Sequence, residues 1–196
     1  NMAACSVTAA GDLLFTGTYN GVEEDDHDVI PAPDAPSFLC LDKQTGEVLW
    51  SDNSPGRNIL HGQWSSPAYG VLGGVPQVLF PGGDGWLYAL DPESGKHLWK
   101  FNLNPPDSVW RLGGGGTKNA IIATPVVGDG VVYVSAGYAP IKPIYAVRVG
   151  ARGKFEVEWA KGSVAFGGGG RRVYRDERRT RWEADVGFGG PIGRFG

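Results

Sequence analysis

The stretch Phe38-Leu-Cys-Leu-Asp42-Lys-Gln-Thr45-Gly46-Glu-Val-Leu49-Trp50 recurs in pattern as Leu87-Tyr-Ala-Leu-Asp91-Pro-Glu-Ser94-Gly95-Lys-His-Leu98-Trp99. Asp, Gly and Trp are each displaced by 49 residues. In both copies a short apolar run reads as a strand. Asp-x-x-Thr/Ser-Gly reads as a turn: carboxylate and hydroxyl cap its amides, and Gly takes the positive-φ position. A second strand then closes on Trp, so each copy is a hairpin. A decayed third copy, Ile144-Tyr-Ala-Val-Arg148 with Gly153 and Trp159, puts Arg in place of Asp and enlarges the turn by two residues.

A further strand pair precedes each hairpin. Ser6-Val-Thr-Ala turns at Gly11-Asp12 into Leu13-Leu-Phe-Thr16. Ser66-Pro-Ala-Tyr-Gly-Val turns at Gly73-Gly74 into Pro76-Gln-Val-Leu-Phe80, and Thr124-Pro-Val-Val turns at Gly128-Asp129-Gly130 into Val131-Val-Tyr-Val134. Each unit is thus a four-stranded meander, strands A to D in chain order. Units of this size and strand count arrayed radially are β-propeller blades. A twisted sheet apolar on both faces cannot bury both alone, so it stacks on neighbours. The chain is expected to be all-β: an incomplete propeller of about three four-stranded antiparallel blades plus a remnant. The blades fall at about 5–52, 65–101 and 122–160. The competing architecture is a β-sandwich.

Composition agrees. The chain has 196 residues, 41% hydrophobic and 20% charged, with 32 Gly, 14 Pro and 7 Trp. That excludes a disordered chain, and the Gly and Pro content suits short strands and tight turns. No apolar run reaches the length of a membrane helix. The net charge of −3 does not mark a nucleic-acid binder. No basic segment followed by an apolar stretch opens the chain, so no signal peptide is visible. His27, His61 and His97 are scattered, and Cys5 and Cys40 form no metal motif, so no metal site is expected. In the blade scheme the two Cys lie on strands A and C of one sheet, too far apart for a disulfide. They are expected to be buried, inert thiols.

The repeat Ala-Leu-Asp-x-x-(Thr/Ser)-Gly-x-x-Leu-Trp resembles the tryptophan-docking repeat of the PQQ-like propeller family. That family includes quinoprotein dehydrogenases and a non-enzymatic propeller lipoprotein of outer-membrane assembly. The run from Ile59-Leu-His61-Gly-Gln-Trp64 to Gly82-Gly-Asp84-Gly-Trp86 also resembles PQQ-like propeller proteins of planctomycete-type bacteria. The resemblance covers roughly residues 5–150 and assigns Asp42, Gly46, Trp50, Asp91, Gly95, Trp99 and Trp159 to the structural repeat. It implies a periplasmic or cell-envelope location, and it admits PQQ with calcium as a cofactor, though none is evident in the residues. Quinoprotein dehydrogenases close a full ring around the cofactor, where this chain has three blades. Those of methanol-dehydrogenase type carry an adjacent Cys pair, which is absent here.

Meander topology puts the B–C and D–A connections on one face, and all the long ones fall there: 17–36, 51–64, 100–120 and 135–143. Long loops gathered on one face are where propellers bind. Ligand-binding candidates on it are His61 and Trp64 before strand A of blade two, Asp84 and Trp86 at its B–C turn, and Trp110, Arg111, Lys118 and Asn119 in the next connection. Each also has a structural use: Trp64 between blades, His61 on a loop carbonyl, Asp84 as a turn cap. Trp110 to Asn119 superficially resembles a phosphate loop, but it lacks the Gly-Lys-Ser/Thr order and a following helix. Arg111 and Lys118 suit an anionic or carbonyl-rich ligand. The acidic run Glu23 to Asp28 reads as a solvated loop rather than a calcium site. No catalytic residue is assigned.

After Trp159 the pattern fails. Residues 161–196 carry 8 basic and 4 acidic side chains, against 10 and 17 before them. This Gly/Arg-rich tail reads as a degenerate or disordered end, as a nucleic-acid arm, or as later blades lost to a frame error. Three blades leave two open sheet faces, to be covered by a protein partner or by missing blades. The favoured function is a non-catalytic module for protein or ligand binding at the bacterial cell envelope, a fragment of a larger propeller. The alternative is part of a PQQ- and calcium-dependent alcohol or sugar dehydrogenase, with Asp84 the least implausible base if other blades complete the ring. A gene fragment without a function of its own is the third reading.

Overall fold

Asp42 and Asp91 build the two repeat turns the same way. Asp42 Oδ1 accepts the amides of Gln44 and Thr45 at 2.8 and 2.7 Å and the Thr45 hydroxyl at 3.0 Å. Asp91 Oδ1 accepts the amides of Glu93 and Ser94 at 3.2 and 2.8 Å and the Ser94 hydroxyl at 2.7 Å. Gly46 and Gly95 follow at φ +76° and +69°. Donors aimed at the charged form hold both carboxyls below their ordinary value: the Thr45 amide leads for Asp42, the Ser94 hydroxyl for Asp91.

The computed structural model describes residues 5–137 and 144–150, and the backbone of 155–166 and 170–175. Among the described residues thirteen strands form three antiparallel sheets in series. The first holds β1 (Thr8–Ala10), β2 (Leu13–Gly17), β3 (Phe38–Asp42) and β4 (Val48–Asp52) in that order. The second holds β5 (Ala68–Leu72), β6 (Val75–Pro81), β7 (Trp86–Leu90) and β8 (His97–Asn102). The third holds β9 (Val126–Gly128), β10 (Val131–Ser135), β11 (Ile144–Val149), β12 (Phe155–Phe166) and β13 (Gly170–Arg175). The register shifts at the same place in each hairpin: Cys40/Leu41, Ala89/Leu90 and Ala146/Val147. This is an incomplete propeller of successive meanders, and its sheets do not close into a ring.

Two features differ from the sequence reading. The third sheet has five strands, because β12 runs on through residue 166 and pairs with β13. Stretches 161–166 and 170–175 of the tail are therefore extended and paired; the remainder of 161–196 lies outside the described residues. Cys5, expected to be buried, is half-buried just before β1, its sulfur 3.2 Å from both the amide and the carbonyl of Gly17. Cys40 is buried, and desolvation pushes its thiol up to about 11. Both thiols are free.

The second sheet is buried on both faces because its strands are apolar at consecutive positions. Side chains alternate along a strand. Val78, Phe80, Tyr88 and Leu90 therefore pack toward the first sheet, against Phe15 and Phe38, and Leu79, Leu87 and Ala89 pack toward the third. The first strands of successive sheets meet at the inner edge. Thr8 Oγ1 donates to Pro67 O at 2.6 Å, and Gly70 lies so close to Val127 that a Cβ there would meet Cγ1 at 2.5 Å. Half-buried Trp50 spans the first seam, its Nε1 donating to Pro92 O at 2.9 Å in the second sheet's turn. Trp99 is 4% exposed in the second seam and donates to Gln77 Oε1 at 2.6 Å. Trp159 stands on β12 opposite Ala146, and its ring lies outside the described side chains.

Candidate functional site

Gly82 to Gly85, the tight turn from β6 to β7, is the hub of the loop face. Gly85 has φ +83°, and a Cβ there would fall within 2.3 Å of Asn119 O, so only Gly fits. Two connections grip the turn. From residues 53–67, Leu60 N donates to Gly83 O at 3.0 Å, and the buried Gln63 amide oxygen accepts the Gly83 amide. From residues 103–125, Leu103 N donates to Gly85 O at 3.0 Å and Ile121 N to Gly82 O at 3.1 Å. Asn104 and Asn119 clasp the two ends of the longer connection. Asn104 Nδ2 donates to Asn119 O at 2.9 Å, and Asn119 N donates to Asn104 Oδ1 at 2.7 Å.

Asp84 is 5% exposed within this turn. Its Oδ1 accepts the Trp86 amide at 3.1 Å, and its Oδ2 accepts the Tyr88 hydroxyl at 2.7 Å. Desolvation outweighs these donors and pushes the carboxyl up to about 6. Desolvation and then the Asp84 charge drive the Tyr88 phenol far above its ordinary value. Trp86 is half-buried, with Lys100 Nζ 4.5 Å from its ring centroid.

His61 and Trp64 belong to a second, aromatic cluster that joins the first two sheets. Trp64 Nε1 donates to the Tyr19 hydroxyl. The His61 ring lies 5.0 Å from Trp64 and meets His27 edge-on at 4.6 Å. His61 O accepts the Val22 amide at 2.8 Å, and Gly21 packs against the same carbonyl more closely than any Cβ allows. His61 Nδ1 is buried without a partner among the described residues. Desolvation, then the neighbouring His27, hold His61 below its ordinary pKa.

Trp110 is 42% exposed and donates to Asn58 O at 2.9 Å, tying the two long connections together. Arg111 is exposed and Lys118 half-buried on the same loop, while Asn119 is buried in its clasp. The structure thus gathers Asp84, Asn119, His61 and Trp64 into the packing of the loop face, and it leaves Trp110 and Arg111 at the surface. Tyr19, His27, Gln63, Asn104 and Tyr88 were not singled out from the sequence. The residues before the repeat strands gave no signal for the first four. Tyr88, two residues past Trp86 on β7, was readable as a strand residue only. Among the described residues no group of three His, Cys, Asp or Glu side chains gathers to hold a metal ion. No helix among them is long and apolar enough to cross a membrane.

A PQQ-like family model described as outer membrane protein assembly factor BamB matches residues 3–168. No curated protein matches the chain. Among solved structures, the quinohemoprotein alcohol dehydrogenase ADHIIG from Pseudomonas putida HK5 is 15% identical at a TM-score of 0.53, covering 82% of this chain and 20% of its own. The quinohemoprotein alcohol dehydrogenase from Comamonas testosteroni is 19% identical at a TM-score of 0.53, covering 83% and 21%. BamB from Moraxella catarrhalis is 16% identical at a TM-score of 0.44, covering 82% and 52%. The chain spans about a fifth of the length of the two dehydrogenases. At these identities the likeness is one of fold.

Proposed function

The chain belongs to the PQQ-like propeller family of the outer membrane assembly factor BamB, and we propose that it is a non-catalytic binding module of the bacterial cell envelope, one segment of a larger array of blades. The observation that supports this most is how the polar side chains of the loop face are used. Both Asp84 oxygens, the Asn104–Asn119 pair, the Gln63 amide and the Trp64 indole are all engaged inside the fold. Asp84 caps its own turn, and the others tie three long connections to the sheets and to one another; a loop face held in this way suits recognition. Family kinship supports the envelope location.

The apolar outer faces of the first and third sheets call for protein against them, either further blades or a partner. Purified chain examined by light scattering is expected to form a defined assembly heavier than its 20.8 kDa. A well-behaved monomer with no affinity for an apolar dye overturns the reading.

The second reading, part of a PQQ- and calcium-dependent dehydrogenase, draws on Asp84, whose carboxyl is pushed up to about 6, into the range of a general base. For the calcium half of such a site no three His, Cys, Asp or Glu side chains converge among the described residues. Asp84 is also closed off by Tyr88 and Trp86. Blades beyond these residues have to supply the missing ligands. Incubation with PQQ and calcium, followed by dye reduction with alcohols and sugars, separates the two readings. Saturable dye reduction favours the dehydrogenase.

A further inference from the structure

Where the loop-face connection after β4 meets β7 and β8, at the seam between the first two sheets, lies a cleft of about 340 Å³. Tyr88 of β7 and His97 and Lys100 of β8 line one side, and the connection Asn53 to Asn58 with Pro33 and Asp34 lines the other. The charges here are unevenly matched. Asp52, at the end of β4, is held by His97 Nε2 at 2.7 Å and by the Ser54 amide at 2.7 Å. Asp34 faces Arg57 at 3.9 Å, both largely in solvent. Asp84 lies buried behind Tyr88 with both oxygens taken. Lys100 remains: its ammonium sits over the Trp86 ring and makes no ion pair among the described residues. Opposite it, the exposed side-chain amides of Asn53 and Asn58 make no hydrogen bond among the described residues.

The Lys100 charge also acts on the buried Asp84 carboxyl, but no acceptor among the described residues holds its three donors, and an anion in the cleft matches them. Two free amides across a narrow gap are matched by hydroxyl groups, each of which both donates and accepts. The volume admits a single substituted six-membered ring with room for water beside it. An inorganic anion can take only the NH₂ donors and leaves both amide oxygens unmatched, and a neutral sugar leaves Lys100 without a counter-charge. We propose that this cleft binds a compact hydroxylated carboxylate of the size of a hexuronic acid, its carboxylate on Lys100 and its hydroxyls on Asn53 and Asn58. This goes beyond the module reading and does not depend on what covers the open sheet faces.

The test is calorimetric titration of the whole chain with glucuronate at neutral pH, beside glucose, inorganic phosphate and a short polyuronate. Glucuronate is expected to bind with a Kd of about 1 mM or tighter, and glucose and phosphate at least about tenfold more weakly. Lys100→Met keeps the apolar stem over Trp86 and is expected to weaken glucuronate about tenfold, with an unchanged circular dichroism spectrum and melting temperature. Asn53→Ala with Asn58→Ala, both exposed, is expected to weaken glucuronate more than phosphate, because only hydroxyls use the amide oxygens as well as the NH₂ groups. Tighter binding of the polyuronate than of glucuronate identifies a polysaccharide end as the source, and equal binding identifies the free acid. The proposal is overturned if glucuronate does not bind, if phosphate or glucose binds as tightly, or if Lys100→Met binds unchanged.

Discussion

Asp84 sits where a turn cap and a buried charge conflict. Its two hydrogen bonds favour the carboxylate, and its burial favours the acid more strongly, so the folded chain holds this proton up to about pH 6. The unfolded chain releases it near the ordinary value of 3.8. Between those two pH values the folded state binds more protons, so its stability falls as pH rises through the window and levels off above it. A gap of this size corresponds to roughly 3 kcal/mol. Asp42, Asp52 and Asp91 run the other way, because their folded carboxyls are held low. Asp84→Asn isolates the one opposite slope. Its side-chain oxygen can accept the Trp86 amide and its NH₂ can donate to the Tyr88 hydroxyl. Urea unfolding should therefore show the variant gaining on the parent by up to roughly 3 kcal/mol between pH 4 and pH 7. A difference that stays constant across that range refutes this account of Asp84. The cap was legible in Gly-Gly-Asp-Gly-Trp, because turn chemistry is local. The burial was not, because Tyr88 and the connections around residues 60 and 120 create it.

Two hairpins with the same turn sequence logic make different demands on the same glycine. Gly46 and Gly95 both take positive φ after a capping Asp, and on that ground each loses roughly 1–2 kcal/mol as Ala. A Cβ on Gly46 meets nothing within 4 Å. A Cβ on Gly95 falls 2.7 Å from the indole of Trp50, which lies over the second turn with its Nε1 on Pro92 O. Overpacking adds roughly 1–3 kcal/mol there. Gly95→Ala is accordingly expected to cost roughly 1–3 kcal/mol more than Gly46→Ala, read from denaturant midpoints at constant slope. Equal losses would mean that Trp50 does not seal the seam. The hairpins themselves could be read in advance, since strand, cap, glycine and Trp lie within one short repeat. The clasps could not. Trp64 reaches Tyr19 across 45 residues and Asn119 reaches Asn104 across 15, with no periodicity to mark either pair.

Across the whole molecule, the central sheet shows what its neighbours lack. Val78, Leu79 and Phe80, consecutive on β6, are each at most 1% exposed, because a sheet stands on either side. In the first sheet the alternate positions Leu14, Leu39 and Leu41 are only half-buried, and Leu49 is 48% exposed. In the third sheet Val126 is 61% exposed. The same apolar alternation that buries the middle blade leaves exposed apolar side chains on the outer two, although Val131 and Ala146 on the face of Val126 are buried, and exposed patches of this kind mark association sites. The strand pattern, which repeats from blade to blade, made that legible; what completes the array is not encoded in these residues. A charge placed on an open face should break association and spare the fold. Leu49→Lys and Val126→Lys are expected to shift the assembly to a 20.8 kDa monomer in light scattering. Each should change unfolding free energy by no more than about 0.5 kcal/mol, as exposed positions do. Val78→Lys, fully buried between two sheets, should instead prevent folding. If the two surface variants keep the parent mass, or unfold as Val78→Lys does, those faces are not the surfaces through which this chain meets its neighbours.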